Sequence, residues 1–123
     1  MSTPFKEAVE AHDFDAAIDC LAPDVVFNSP VAHRPFEGKE TVGQVLRAVS
    51  QTFEDFEYTD ELQDGDTHAL VFRARVGDKQ LEGLDLLRLN GDGLIADFTV
   101  MVRPASGLMA LGQAMAPKVE ALG

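Results

Sequence analysis

Apolar residues recur at helical spacing through the first half of the chain and alternate through most of the second. Thr3 and Pro4 form a helix start, a capping hydroxyl followed by proline at the first helical position, and Phe5, Ala8, Val9 and His12 follow at i, i+3, i+4 and i+7. Asp13 is placed to cap a second helix, in which Phe14, Ala17, Ile18 and Leu21 repeat that spacing until Pro23 stops it. Val25, Val26 and Phe27 make a short strand ended by Pro30, and residues 30–38, with Pro35 among them, read as a loop. Val42, Val45, Leu46 and Val49 then give a third helix.

Beyond Phe53 the period falls to two, and Asp64-Gly65-Asp66, Gly77-Asp78 and Asn90-Gly91-Asp92-Gly93 punctuate it as turns. This predicts a meander of four strands. From Ala105 the helical spacing returns through Leu108, Leu111, Met115 and Leu122, which predicts a C-terminal helix covering one end of the sheet. A two-residue turn at Gly77-Asp78 sets Ala74 against Leu81, Phe72 against Gly83 and Leu70 against Asp85 on one face, with Arg73 against Glu82 on the other. Continued into the next hairpin, that register sets Phe98 against Asp85 and Val100 against Gly83. Leu70, Phe72, Leu89, Phe98, Val100 and Val102 then share the face that helices must cover, and Asp85 stands alone among them. Val71, Leu86, Ile95, Thr99 and Met101 alternate onto the opposite face, an apolar patch that predicts a homodimer through the outer side of the sheet.

Composition narrows the partners. A chain of 123 residues, 46% hydrophobic and 25% charged, suits one globular domain over residues 1–123. The net charge of -11, with 10 scattered Lys and Arg, leaves no electrostatic footprint for nucleic acid. Neither a signal peptide before Lys6 nor an apolar run of membrane-spanning length is evident, so the expected location is the cytoplasm, away from membranes. Cys20, the single cysteine, falls on an apolar pattern and reads as a small buried hydrophobe. His12, His33 and His68 lack metal-ligand spacing, and no phosphate loop or dinucleotide fingerprint occurs, so neither a metal nor another cofactor is expected.

The order of two helices, strand, loop, helix and four-stranded meander resembles the nuclear transport factor 2-like superfamily, with its ketosteroid isomerase-like and polyketide cyclase-like (SnoaL-like) members. Two segments carry the likeness. His12-Asp13-Phe14-Asp15 running to Asp24-Val25-Val26 is similar to the family's opening, and Gly83-Leu84-Asp85-Leu86-Leu87-Arg88-Leu89 running to Gly93-Leu94-Ile95 is similar to its hairpin. The resemblance implies an α+β fold, a cone-shaped barrel in which a strongly curved, mostly antiparallel sheet wraps around the N-terminal helices, a cystatin-like roll with a C-terminal helix. It also implies an apolar conical pocket that takes a small apolar ligand.

Carried over residue by residue, the ketosteroid isomerase site would put its tyrosine at Phe5, its base at Ser29 and its hairpin acid at Asp85. A phenyl ring donates no hydrogen bond to an oxyanion, and a serine without a neighbouring base does not abstract a carbon-bound proton. This argues against steroid isomerisation. The limonene epoxide hydrolase triad is missing too, since Gly83 and Phe98 stand where its polar groups would be.

Two readings remain: a small-molecule-binding domain, or an isomerase- or cyclase-like enzyme acting on a small apolar carbonyl compound with Asp85 as acid or base. Asp85 and His33 are the catalytic candidates. An isolated acid among apolar side chains has a raised pKa, and a loop histidine at the pocket mouth can shuttle protons. His68, in phase with Leu70 and Phe72, should point inward, to pair with Asp85, line the pocket or sit as a satisfied core histidine. Tyr58, the only tyrosine, either lends a hydroxyl to the pocket rim or packs. With His68 and Tyr58, the residues Phe5, Phe27, Ser29, Leu70, Phe72, Phe98 and Val100 complete the expected ligand-binding set.

Overall fold

A computed structural model describes residues 3–120. The chain opens with two short helices, α1 (Pro4–Glu10) and α2 (Phe14–Asp19), followed by β1 (Leu21–Asn28), β2 (Phe36–Glu37) and α3 (Lys39–Thr52). The meander β3 (Glu54–Asp64), β4 (Thr67–Val76), β5 (Lys79–Leu89) and β6 (Ile95–Arg103) leads into α4 (Ala105–Glu120). The strands form one open six-stranded sheet in the order β2-β1-β6-β5-β4-β3. Only β1 and β6 run parallel; every other neighbouring pair is antiparallel. The expected α+β roll is therefore present, its sheet open at both edges. None of the described helices is long and apolar enough to cross a membrane.

Local chemistry accounts for the helix ends. The Thr3 hydroxyl accepts from the Lys6 N–H, and the Asp13 carboxylate accepts from the Ala16 N–H, so both predicted caps operate. The Thr3 N–H also donates to Glu61 Oε2 at 2.8 Å, which ties α1 to β3. Both early helices are shorter than their apolar spacing suggested. α1 ends at Glu10, leaving His12 outside it, and α2 ends at Asp19, so Leu21 opens a strand. Pro23 does not stop α2; it lies within β1, in the stretch between Leu21 and Val26 where the pairing with β6 shifts register, a place where a missing N–H costs no ladder bond. The predicted loop contains the two residues of β2, and the Leu122 position assigned to the last helix lies outside the described residues.

The β4–β5 register agrees with the turn chemistry at every predicted pair: Ala74 with Leu81, Arg73 with Glu82, Phe72 with Gly83 and Leu70 with Asp85. The β5–β6 register differs by two residues, since Asp85 faces Val100, Gly83 faces Val102 and Leu87 faces Phe98. One residue of the difference is an irregularity after Arg88, where Leu89 pairs with Ile95 but Arg88 pairs with Asp97, and the other is the turn, which takes in Leu94 as well as residues 90–93. One extra residue in β6 turns Ile95 to the inner face. Ile95 is buried in the core and does not belong to the outer patch.

Between the inner face and the helices lie two packed groups. One gathers Phe5, Ala17, Leu21, Val25, Val42, Leu70, Leu87 and Ile95; the other joins Ala48 of α3 and Phe72, Ala74 and Leu81 of the sheet to Leu111 and Met115 of α4. Full burial of each large side chain contributes roughly 1.5–3 kcal/mol. α4 sits close because Gly107 has no side chain: a Cβ there would meet the Gln80 carbonyl oxygen at 2.8 Å.

Candidate functional site

Along β5 the inner residues Leu81, Gly83, Asp85 and Leu87 are all buried, so alternation alone delivers one carboxyl into the interior. Gly83 makes room beside it. A Cβ at that position would lie 2.1 Å from the end of the Phe72 ring, so the ring rests on bare backbone. Tyr58 on β3 pairs with Phe72 on β4, which pairs with Gly83 on β5. From there the Tyr58 hydroxyl reaches across β4 and donates to Asp85 Oδ2 at 3.0 Å. Asp85 is 7% exposed and borders the cavity; among the described residues its second oxygen has no partner, yet no buried side-chain polar atom goes unpaired. That oxygen is open to the cavity.

The cavity measures about 370 Å³. All eight phenylalanines of the sequence and its only tyrosine line it. All of them but Phe14 fall into two aromatic groups. Phe98 has Phe5 edge-on at 5.3 Å and Phe27 at 5.1 Å, while Phe72 packs on Phe56 at 5.0 Å and Phe53 at 5.5 Å. Rigid rings give a preformed apolar wall at low entropic cost. Polar side chains on the lining are few: Asp85 and Tyr58 inside, with His12, Ser29, Ser50 and Asp55 besides.

Burial pushes the Asp85 carboxyl up from its ordinary 3.8 to about 7, against the smaller downward pull of the Tyr58 hydrogen bond. The same burial, followed by the charge of Asp85, holds the Tyr58 hydroxyl well above its usual 10. Tyr58 therefore stays a donor, and Asp85 occupies both protonation states near neutral pH. As an acid it can donate to a ligand oxygen, and as a carboxylate it can accept a proton.

Eight of the sequence-predicted site residues meet here: Phe5, Phe27, Ser29, Tyr58, Phe72, Asp85, Phe98 and Val100 all border the cavity. Three do not. Leu70 is wholly buried in the core, with no lining surface. His68, two residues further along β4 and opposite Leu87, lies beyond that packed core; its alternation is in phase, but its place along the strand is wrong for a bond to Asp85. His33 is exposed in the loop after β1 and does not border the cavity; the turn there is closed by Ser29, whose Oγ accepts from the N–H groups of Val31 and Ala32. Ser29 thus builds the wall, and among the described residues its hydroxyl makes no hydrogen bond to a basic side chain. Asp85 is also not alone, as the sequence reading had it, because the Tyr58 hydroxyl reaches it from β3.

Sequence reasoning missed His12, Phe36, Phe53, Phe56 and the α4 residues Leu111 and Met115. Their joint presence depends on how the helices close over the sheet, although the wealth of phenylalanine in an otherwise aliphatic core was a readable signal. Cys20 is half-buried, its thiol donates to the Ala16 carbonyl, and burial raises its pKa, the opposite of an activated nucleophile.

Residues 4–98 match the SnoaL-like domain, and the chain belongs to that family. Among solved structures it is similar to a steroid delta-isomerase from Pseudomonas aeruginosa, 43% identical, covering 94% of this chain and 85% of that one with a TM-score of 0.87. It is also similar to a protein with a cystatin-like fold from Silicibacter pomeroyi, 36% identical over 95% of this chain and 83% of that one, TM-score 0.90. A nuclear transport factor 2-like protein from Cytophaga hutchinsonii shares the fold at 22% identity, over 84% and 87% of the two chains, with a TM-score of 0.65. No curated protein matches the chain.

Proposed function

We propose that this domain binds a small, uncharged, largely apolar molecule through a carbonyl or comparable acceptor oxygen directed at Asp85. The observation that carries this is the enclosure of one buried acid, backed by one tyrosine, in a cavity walled by every phenylalanine of the chain. In its protonated form Asp85 donates from its open oxygen while Tyr58 donates to the other. Affinity for a ketone is then full below pH 7 and declines as pH rises through the Asp85 pKa of about 7. Calorimetric titration of a fused-ring ketone between pH 5 and 9 tests this; Asp85→Asn should bind with no such pH dependence, and a flat wild-type profile would reject the reading.

A second reading, isomerase- or cyclase-like proton transfer, is favoured by the similarity to the steroid delta-isomerase together with a carboxyl titrating near neutrality. In that step the Asp85 carboxylate takes a proton from the carbon beside the carbonyl: the C–H bond breaks, an O–H bond forms on Asp85, and the electron pair moves to the carbonyl oxygen. Return of the proton to another carbon completes an isomerisation. This chemistry needs the carboxylate, so its rate rises through pH 7 where binding falls. Deuterium exchange from solvent into the ketone measures it, and Asp85→Asn should slow exchange by about two orders of magnitude or more.

The proposal extends to assembly. Leu84 and Leu86 of β5 are half-buried on the outer face, beside Met101 at 52% and Leu62 at 66% exposure. Arg73 and Arg103, both paired with Glu82, stand on the same face. A second copy covering this face gives a homodimer with its two cavities turned outward.

A further inference from the structure

The chain leaves α1 through a C-terminal cap in which the Asp13 N–H donates to the Ala8 carbonyl and the His12 N–H to the Val9 carbonyl, at 2.9 and 3.0 Å. This pair of bonds requires a left-handed residue at His12, whose φ is 57°, and glycine is the residue that this position suits. An imidazole there gives nothing to the helix. His12 and Asp55, at φ 53°, are the two non-glycine residues with positive φ among the described residues, and both border the cavity while exposed to solvent. Non-glycine residues held in the left-handed region cluster at ligand-binding sites. Asp55 is committed to Arg75 at 2.7 Å, whereas the His12 ring makes no hydrogen bond or ion pair among the described residues.

From this placement we infer that His12 is a second recognition point, donating a hydrogen bond from the cavity rim to an acceptor oxygen at the outer end of a ligand whose inner oxygen meets Asp85. The inference rests on the proposed binding of a carbonyl compound and adds a requirement: the favoured ligand carries oxygen at both ends of an apolar body. That ligand is uncharged. Glu10 lies close enough to act on Tyr58, Asp13 adjoins His12, Asp55 stands on the rim, and the whole chain carries -11, so an anionic outer end is repelled. The imidazole supplies a donor without adding a carboxylate to this rim.

The test compares saturated fused-ring monoketones of two to four rings with the diketones of the same skeletons that carry the second oxygen at the far end. Wild-type protein should bind the best-fitting diketone more tightly than its monoketone. His12→Gly removes the donor and installs the residue the backbone suits, so its melting temperature should stay the same or rise while diketone affinity falls about three- to tenfold and monoketone affinity holds. His12→Asn, which keeps a donor and tolerates the left-handed conformation, should recover part of the loss. Equal affinity of wild type and His12→Gly for every diketone would overturn the inference and leave the proposed ligand class standing. Failure of all the ketones to bind wild-type protein would overturn both.

Discussion

The two faces of β5 carry opposite exceptions to the same alternation. Its inner face, Leu81, Gly83, Asp85 and Leu87, is buried and apolar except for one carboxyl; its outer face, Glu82, Leu84, Leu86 and Arg88, is accessible and polar except for two leucines. Neither exception helps an isolated domain fold. A buried carboxyl with a single hydrogen bond costs stability whenever it ionises, and uncovered leucines gain little from their partial burial. Under the proposed function something else completes each face: a ligand oxygen inside, and a second copy outside.

The largest effect should come from removing the inner exception. The folded-state pKa of Asp85 lies above its unfolded value, so between 3.8 and about 7 the folded state holds more protons and stability falls as pH rises, reaching its full loss above pH 7. About three units correspond to at most about 4 kcal/mol. Asp85→Asn should therefore unfold at higher denaturant than wild type at pH 8, by up to that amount, with the gap closing near pH 4. Equal urea midpoints at pH 8 would show that the carboxylate costs nothing inside.

Gly83→Ala sharpens the comparison from beside the acid. Its Cβ would collide with the Phe72 ring, which is wedged among Phe53, Phe56 and Tyr58, so a destabilisation of about 2–3 kcal/mol is expected in chemical denaturation. On the outer face, Met101→Glu should leave the fold and ketone affinity intact while shifting sedimentation from dimer to the 13.3 kDa monomer. A wild-type protein that sediments only as monomer at micromolar concentration would remove the partner copy from the account. The smallest effect belongs to His33→Ala, for which calorimetry should give wild-type ketone affinity at every pH, because His33 is exposed and off the cavity.

How legible these faces were in the sequence depends on the range of the interaction that builds them. The β4–β5 pairing follows from a two-residue turn, and Gly77-Asp78 announced it. The β5–β6 pairing has an added residue near Ala96, which alternation does not reveal, and so Ile95 was assigned to the wrong face. Asp85 was recognisable because a lone acid in an apolar alternation is a local anomaly. Its bond to Tyr58 was not, since the partner is 27 residues away on a strand that does not touch β5. His68 misled for a related reason: period two assigns a face but not a depth along the strand. His12 carried a signal of another kind, an imidazole where a helix exit suits glycine, and only the cap geometry shows why that matters.

The central claim is that β5 holds a titratable acid inside an aromatic cavity, and carbon-13 detection of the Asp85 carboxyl across a pH titration tests it most directly. The account predicts a midpoint of about 7 in the ligand-free protein and a higher one in Tyr58→Phe, since the hydroxyl stabilises the carboxylate. A midpoint at or below the ordinary carboxylate value of 3.8 would contradict it, leaving Asp85 a solvated structural carboxylate and the cavity without its acid.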